Sequence, residues 1–455
     1  MARWKWGFAQ RLALVSVAAL VLRVGYVLLF RRDDLPLGGD SLFYSLGAEL
    51  LADGHGFVEP LTVVGAGPVE QSASHPPLYL LWLAALSFVD PGGTSQLVHM
   101  LWSCVLGTGT VIACGLAGRE VAGPRCGLVA AVLAAVYPNV WVHDGMLLSE
   151  TMSLFTTAMV ILLAYRFWHR PSGRRVAWLG LWCGLATLSR PELVLTVPLV
   201  LAPLVLRSRG VARPRRLRWL TAGGAAAMVA LAPWVVFNLT RFDERVYLST
   251  NSGSTLAAAN CDATYHGAQI GSKNYECARD VFASVVRPGM DPSERDEAVR
   301  REAFRYVRAN RDRLPAVVAA RWGRITGLLH PRQEIAFDQF FSQRDRWVAE
   351  STLYSYYVIA ALAVGGALVL RRRRVPLLPL VAFPVIVLVS VALTFAQSRY
   401  RAPAEAALVV LAAVAIDAGI RRMANRRRAR DELAMMPDEP VPARASAGVP
   451  VQDSA

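Results

Sequence analysis

The chain has 455 residues, is 54% hydrophobic and carries a formal net charge of +15, with a mean hydropathy of +0.35. That is more apolar material than one soluble domain needs. The positive charge does not mark a nucleic-acid binder either: it falls in short arginine blocks between long apolar runs, with no zinc finger or RNP motif, and that spacing belongs to membrane topology.

A spanning helix needs about 20 apolar residues. In chain order the candidates are Leu12–Phe30, Gln96–Ala117, Gly127–Tyr137, Glu150–Trp168, Val176–Ser189, Leu193–Leu206, Trp219–Phe237, Leu353–Leu370, Pro376–Phe395 and Ala402–Ile420, about ten spans. The first does not read as a cleaved signal, because no A-x-A site follows it and Arg31-Arg32 does. The basic blocks Arg207–Arg218, Arg371–Arg374 and Arg421–Arg430, and smaller ones before them, all fall on the N-terminal side if there are ten spans. By the positive-inside rule that side is cytoplasmic.

The expected fold is therefore an all-α polytopic protein of the inner or plasma membrane, with both termini cytoplasmic. Surface-lying helices are expected in the first outward loop, 31–95, and a mixed extracytoplasmic insert at 238–352. The expected organisation is an N-terminal transmembrane module (1–237), the insert, C-terminal transmembrane helices (353–425) and a disordered cytoplasmic tail (426–455). Leu314–Leu329, inside the insert, has the pattern of an interfacial amphipathic helix.

Polar residues gather where the apolar runs end on the outward side. Asp40 follows Gly38-Gly39 and opens a helical pattern containing Tyr44, so it reads either as a helix N-cap or as a general base. His75 precedes Pro76-Pro77, a normal helix entry, and is either merely solvated or positioned to bind phosphate or shuttle a proton. The loop YPNVWVHDGMLLSE brings His143, Asp144 and Glu150 to the mouth of the bundle. An acid in the first helical turn also suits the helix dipole, which gives Glu150 a structural alternative.

Arg190-Pro191-Glu192 makes a tight turn, with a mutual ion pair as its plain reading. Arg399-Tyr400-Arg401 is either a phosphate clamp or an interfacial anchor. Arg23 lies inside the first span and either snorkels or faces the interior. Cys261 and Cys277 share an outward loop that permits a disulfide, two unrelated thiols being the alternative. No metal-ligand spacing or nucleotide-binding glycine loop is present; no cofactor is called for, and any divalent-cation requirement is not legible.

These residues have the order found in a known family. Asp40 with Tyr44, HPPLYLLW at 75–82, GREVAGPRCGLVAAVLAAVYP at 118–138, LSE at 148–150, Arg190-Pro191-Glu192 and RYRAP at 399–403 resemble the membrane-embedded C-type glycosyltransferases, in particular the protein-mannosyltransferase and aminoarabinose-transferase branch. The resemblance implies an extracytoplasmic active site and inverting transfer of a sugar, hexosyl or pentosyl, from a polyprenyl-phosphate donor to the hydroxyl of a lipid, glycan or protein acceptor. Asp40 would be the base. Glu150 and Asp144 would arrange the substrates, and Arg190, Arg399 and Arg401 would meet the donor phosphate. Tyr44, His75, His143, Glu192 and Tyr400 complete the expected substrate-binding set. Relatives often carry lysine where this chain has His75. The competing classes are a transporter or flippase of lipid-linked sugars and a non-catalytic cell-envelope assembly subunit; the partners expected in all cases are membrane lipids, with no nucleic acid.

Overall fold

The structure is a computed structural model and describes residues 6–34, 38–65, 67, 69–89 and 95–434. Helices carry nearly all of it, and among the described residues the only β pairing is an isolated bridge between Val58 and Gln71. The insert expected to be mixed is likewise a set of helices, from Ser252–Ala259 to Pro331–Ser342.

Every expected span coincides with a helical stretch, but not every stretch can cross a bilayer alone. Six helices among the described residues are long and apolar enough: Phe8–Asp34, Gln96–Ala122, Glu150–His169, Arg213–Leu239, Arg346–Arg372 and Ser398–Asp431. A seventh arises if Pro124–Val136 and Pro138–Met146, bent by 71° at a break between them, count as one. The shortfall from ten has a physical origin. Leu378–Leu393 has 16 residues, about 24 Å at about 1.5 Å per residue, short of an apolar slab about 30 Å thick. Pro191–Leu206 carries prolines at 191, 198 and 203 and passes from a 3-10 turn through a π turn to one α turn.

The side chains agree with a lipid surround. Val17 and Val21 of the first helix are 60% and 66% exposed, and Val229 of Arg213–Leu239 is 69% exposed. Apolar faces this open are stable only against hydrocarbon or a partner. The helix from Ala402 instead runs through the middle, with Ala404, Ala406, Val409 and Val410 buried. Close helix contact rests on small residues: Gly180 meets the Gly223 backbone so tightly that a Cβ on Gly180 would overlap the Gly223 carbonyl. The chain is a multi-pass membrane protein.

The two ends of the bundle differ in charge chemistry. At one end Arg421 donates to the Ala122 carbonyl, Arg125 faces Asp417, and His169 contacts the Glu120 carbonyl. At the other end lie the start of Glu150–His169, the end of Gly173–Ser189 and the turn before Ala402. The insert packs on this second end. Its helix Leu314–Ile325 turns Arg321 and Arg324 inward, each 1% exposed, rather than presenting a charged face to water as the sequence suggested. Arg321 donates to the carbonyls of Ala392 and Ala259, and Arg324 pairs with Glu334 at 2.6 Å. Cys261 and Cys277 are joined in a disulfide within the insert. The last helix continues to Ala434, so the first turns of the expected disordered tail are helical; residues 435–455 lie outside the described residues.

Candidate active site

Asp40 is the first residue of the helix Asp40–Ala52, and the cap position belongs to Gly39. Gly39 has φ +58° and ψ −134°, a conformation essentially reserved for glycine. Its carbonyl accepts the first helical hydrogen bond, from Phe43 N. The Asp40 carboxylate therefore turns outward and accepts from Nη2 of Arg399 at 2.8 Å. Burial pushes this carboxyl up, but Arg399, with His75 behind it, wins and holds it well below the usual carboxylate range.

His75 reaches the same carboxylate, with Nε2 3.9 Å from Oδ1, too long for a hydrogen bond. Burial lowers the His75 pKa more than Asp40 raises it. It rests on Phe43 and Tyr44, at 4.8 Å and 5.1 Å between ring centroids. Tyr44 is one turn after Asp40 and packs on Tyr79 at 5.0 Å.

Glu150 opens its helix and is 2% exposed. Ser149 occupies the cap position without a side-chain capping bond. Glu150 accepts from Arg190 Nη1 at 3.0 Å and faces Arg399 Nε at 3.6 Å. Arg190 also pairs with Glu192 at 2.6 Å. The Tyr400 ring lies beneath both guanidinium groups, 4.7 Å from Arg190 and 5.3 Å from Arg399. The mutual ion pair read from the turn is real, but it forms part of a continuous charged cluster.

The cluster opens into a cavity of about 670 Å³. Asp40, Tyr44, His75, Glu150, Arg190, Glu192, Arg399 and Tyr400 all line it. One wall is apolar and faces outward from the bundle: Val194 is 44% exposed and Leu393 66%. The insert also lines it, with residues that include Ser252 and Asp296.

Three expected site residues lie elsewhere. Asp144 is buried beside Arg23, its Oδ2 accepting from Arg23 Nε at 2.9 Å; this places Arg23 in the interior rather than snorkelling. His143 is buried on the same turn and does not line the cavity. Arg401 is not half of a clamp: it pairs with Glu405 at 2.6 Å, donates to the Ile325 carbonyl and lies 3.6 Å from the Tyr356 ring centroid. Arg399 and Arg401 are two apart on a 3-10 turn of about three residues, so their side chains diverge by about 120° and do not converge on one ligand.

Other contributors were not visible in the sequence. Asp338 of the insert accepts from Ser398 Oγ and from Arg344, which braces the turn bearing Arg399. Lys273 is 6% exposed and bonds to the Tyr275 hydroxyl. Burial, then Arg399, brings its pKa down to about 7, against the pull of Asp40. Neither residue sits in a motif; both reach the site through contacts remote in sequence. Among the described residues one carboxylate trio, Asp243, Asp291 and Glu294, is close enough to share a cation. It lies outside the cavity, and Asp291 and Glu294 already form the capping box of Pro292–Ala309.

Residues 74–237 match the model of the dolichyl-phosphate-mannose-protein mannosyltransferase family. No curated protein matches the chain. Among solved structures it is similar to the archaeal oligosaccharyltransferase AglB from Archaeoglobus fulgidus in complex with an inhibitory peptide and a dolichol-phosphate, with a TM-score of 0.56 and 15% identity over 95% of this chain and 52% of AglB. The Archaeoglobus fulgidus oligosaccharyltransferase in complex with Zn and sulfate gives a TM-score of 0.54 and 13% identity over 93% of this chain and 51% of that one. The chain thus spans about half the length of these structures, and at such identities the likeness is one of fold. By its likeness to those structures, and with residues 74–237 matching that family model, the chain has the fold of the membrane-embedded C-type glycosyltransferases.

Proposed function

We propose that this protein transfers a sugar from a polyprenyl-phosphate donor to an acceptor hydroxyl, with Asp40 as the general base. The observation that carries the proposal is the Asp40–Arg399 pair, set in a cavity that has a charged floor and an apolar wall open to lipid. The isoprenoid chain lies along the wall near Val194 and Leu393, and the phosphate meets Arg190 and Arg399. Guanidinium suits phosphate oxygens through bidentate hydrogen bonds. The basic helix ends face the cytoplasm, so the cavity opens on the extracytoplasmic side.

The resting pair also sets an order of events. With Arg399 at 2.8 Å, Asp40 is a weak base. A donor phosphate draws the guanidinium toward itself, and the carboxylate regains basicity once substrate is bound. The acceptor oxygen then attacks the anomeric carbon as its proton passes to Asp40. The bond from that carbon to the phosphate oxygen breaks, and its electron pair leaves with the phosphate. Attack opposite the leaving group inverts the anomeric centre. Glu150 keeps both arginines aimed without taking the proton.

The test is transfer in proteoliposomes from radiolabelled polyprenyl-phosphate sugars, comparing wild type with Asp40→Asn. Asparagine keeps the shape and cannot take the proton. Turnover should fall about 10²–10⁴-fold in a variant that remains folded and inserted. Equal turnover would remove Asp40 from the base role.

A further inference from the structure

At the end of the bundle remote from the Asp40 cavity, a second space of about 650 Å³ lies where Glu150–His169 closes and Gly173–Ser189 opens. Arg166, Arg170, Arg174 and Arg175 line it. We propose that this space binds the phosphate of an anionic phospholipid, in the leaflet opposite the active site. The proposal stands independently of the transfer reading above.

The charge there is not compensated from within. Of the four guanidinium groups, only that of Arg166 faces a carboxylate among the described residues, Glu120 at 3.6 Å. Arg175 is engaged by the chain itself: its Nη1 donates to the carbonyls of Arg166 and Arg170, at 3.3 Å and 2.6 Å. Those bonds close the turn between the two helices, and Ser172 caps the second by accepting from Arg175 N at 3.4 Å. Arg170 and Arg174 are exposed and have no hydrogen-bond or ion-pair partner among the described residues. They are held on a fixed turn beside two further cations, an arrangement that like-charge repulsion opposes and a bound anion relieves. Guanidinium pairs with phosphate oxygens in bidentate geometry.

A second observation selects a lipid over a soluble anion. Leu163 and Trp178 also line the space. Leu163 precedes Arg170 by seven residues and Trp178 follows Arg174 by four, so they lie about 10 Å and about 6 Å deeper in the bundle at about 1.5 Å per residue. Trp178 is 48% exposed, and Trp168 beside it on the first helix is 38% exposed. Tryptophan gathers at the level of lipid headgroups. The space is thus cationic at the helix ends and apolar beneath them. A free anion uses the arginines alone; a phospholipid uses both parts, its phosphate against Arg170 and Arg174 and its acyl chains against Leu163 and Trp178. The two helices joined here carry Glu150 and Arg190 at their other ends, paired at 3.0 Å. A lipid gripped at the turn fixes the depth at which this helical hairpin stands in the bilayer.

The experiment titrates full-length protein in uncharged detergent micelles with phosphatidylglycerol, phosphatidylcholine or inorganic phosphate. Bound lipid is read by native mass spectrometry, and the unfolding temperature is followed alongside. Phosphatidylglycerol should bind about 30-fold tighter than phosphatidylcholine and raise the unfolding temperature. Arg170→Gln with Arg174→Gln should remove that preference, which corresponds to about 2 kcal/mol at about 1 kcal/mol for each basic residue. Without lipid, this variant should unfold at the wild-type temperature, because both side chains are exposed. Arg170→Lys with Arg174→Lys keeps the charge and should retain most of the preference. Arg372→Gln with Arg373→Gln removes equal charge from another exposed helix end that does not line the space, and should leave the preference intact. Equal binding of the two lipids, or an equal loss from both glutamine pairs, would overturn the site. Inorganic phosphate that displaces phosphatidylglycerol at comparable concentration would overturn the lipid assignment and make the space a site for a soluble anion.

Discussion

Asp144 provides the sharpest test of the structural reading, because the sequence offers it as catalytic and the structure makes it half of a buried ion pair. Its residue is 1% exposed and that of Arg23 0%. Arg23 Nε meets the carboxylate at 2.9 Å, and the other guanidinium nitrogens reach only the carbonyls of Ala19 and Ala134, each at 3.2 Å. Asp144→Ala leaves a cation in the bundle with no counter-charge. Removing one partner of such a pair costs about 3–5 kcal/mol, whereas replacing both with apolar groups is close to neutral. Asp144→Ala should therefore lose about that much stability, and adding Arg23→Met should recover at least about half of it. Gly107→Ala should reproduce part of the loss, since a Cβ there would overlap the Asp144 carboxylate. The assay is unfolding in mixed micelles, with sugar transfer measured per folded molecule. Turnover of the folded fraction should stay within a few-fold of wild type. Unchanged stability combined with a loss of turnover of about 100-fold or more, the effect of removing an acid–base group, would refute the reasoning and return Asp144 to the chemistry.

Other outcomes follow from single contacts. Gly39→Ala places a side chain at φ +58°; it should cost about 1–3 kcal/mol, turn Asp40 away from Arg399 and lower turnover, all measurable on the purified variant. Lys273, held down to about 7 by burial and then Arg399, has an unfolded pKa of about 10.4. Between those values the unfolded chain binds a proton that the native state does not, so the contribution of this lysine to stability rises with pH, complete above the higher value and lost toward the lower. Lys273→Met should flatten that rise, and parallel unfolding curves at pH 7.5 and 9.5 for the two proteins would count against it. The Cys261–Cys277 bridge joins residues 16 apart. A loop near that length is stabilised by about 3 kcal/mol, so changing both cysteines to serine should loosen the insert by that order in hydrogen exchange, with little change in the membrane helices.

The membrane class of the chain and the cluster of polar groups at helix ends are both written in one-dimensional pattern. Apolar runs and arginine blocks report local hydropathy, which needs no tertiary information. The same holds for Asp40, Glu150, Arg190 and Arg399, because each stands at the boundary of an apolar run. What local pattern cannot convey is which boundary groups meet. Asp144 lies a short turn before Glu150 in the chain and pairs instead with a residue 121 positions away. Arg401 resembles Arg399 in sequence and is turned away from it by the 3-10 turn, onto Glu405 and the Ile325 carbonyl. Even the cap reading of Asp40 turns on a backbone angle: Gly39 takes the cap position, and the Asp40 carboxylate meets Arg399 instead.

The span count shows the same division. Hydropathy finds every apolar stretch, but whether a stretch crosses depends on length and continuity, and prolines shorten or break several of them. The insert was the least legible part. Its hydrophobic positions are few, and its arginines at 321 and 324 look like a wetted face until the fold buries them against carbonyls and Glu334. By itself the sequence determined that this protein lies in a membrane and keeps its polar chemistry at the helix ends, because solvent preference is a property of each segment alone. Only the tertiary structure decided that Asp40, Glu150, Arg190 and Arg399 meet at one cavity, because those contacts join segments far apart in the chain and depend on how the helices pack.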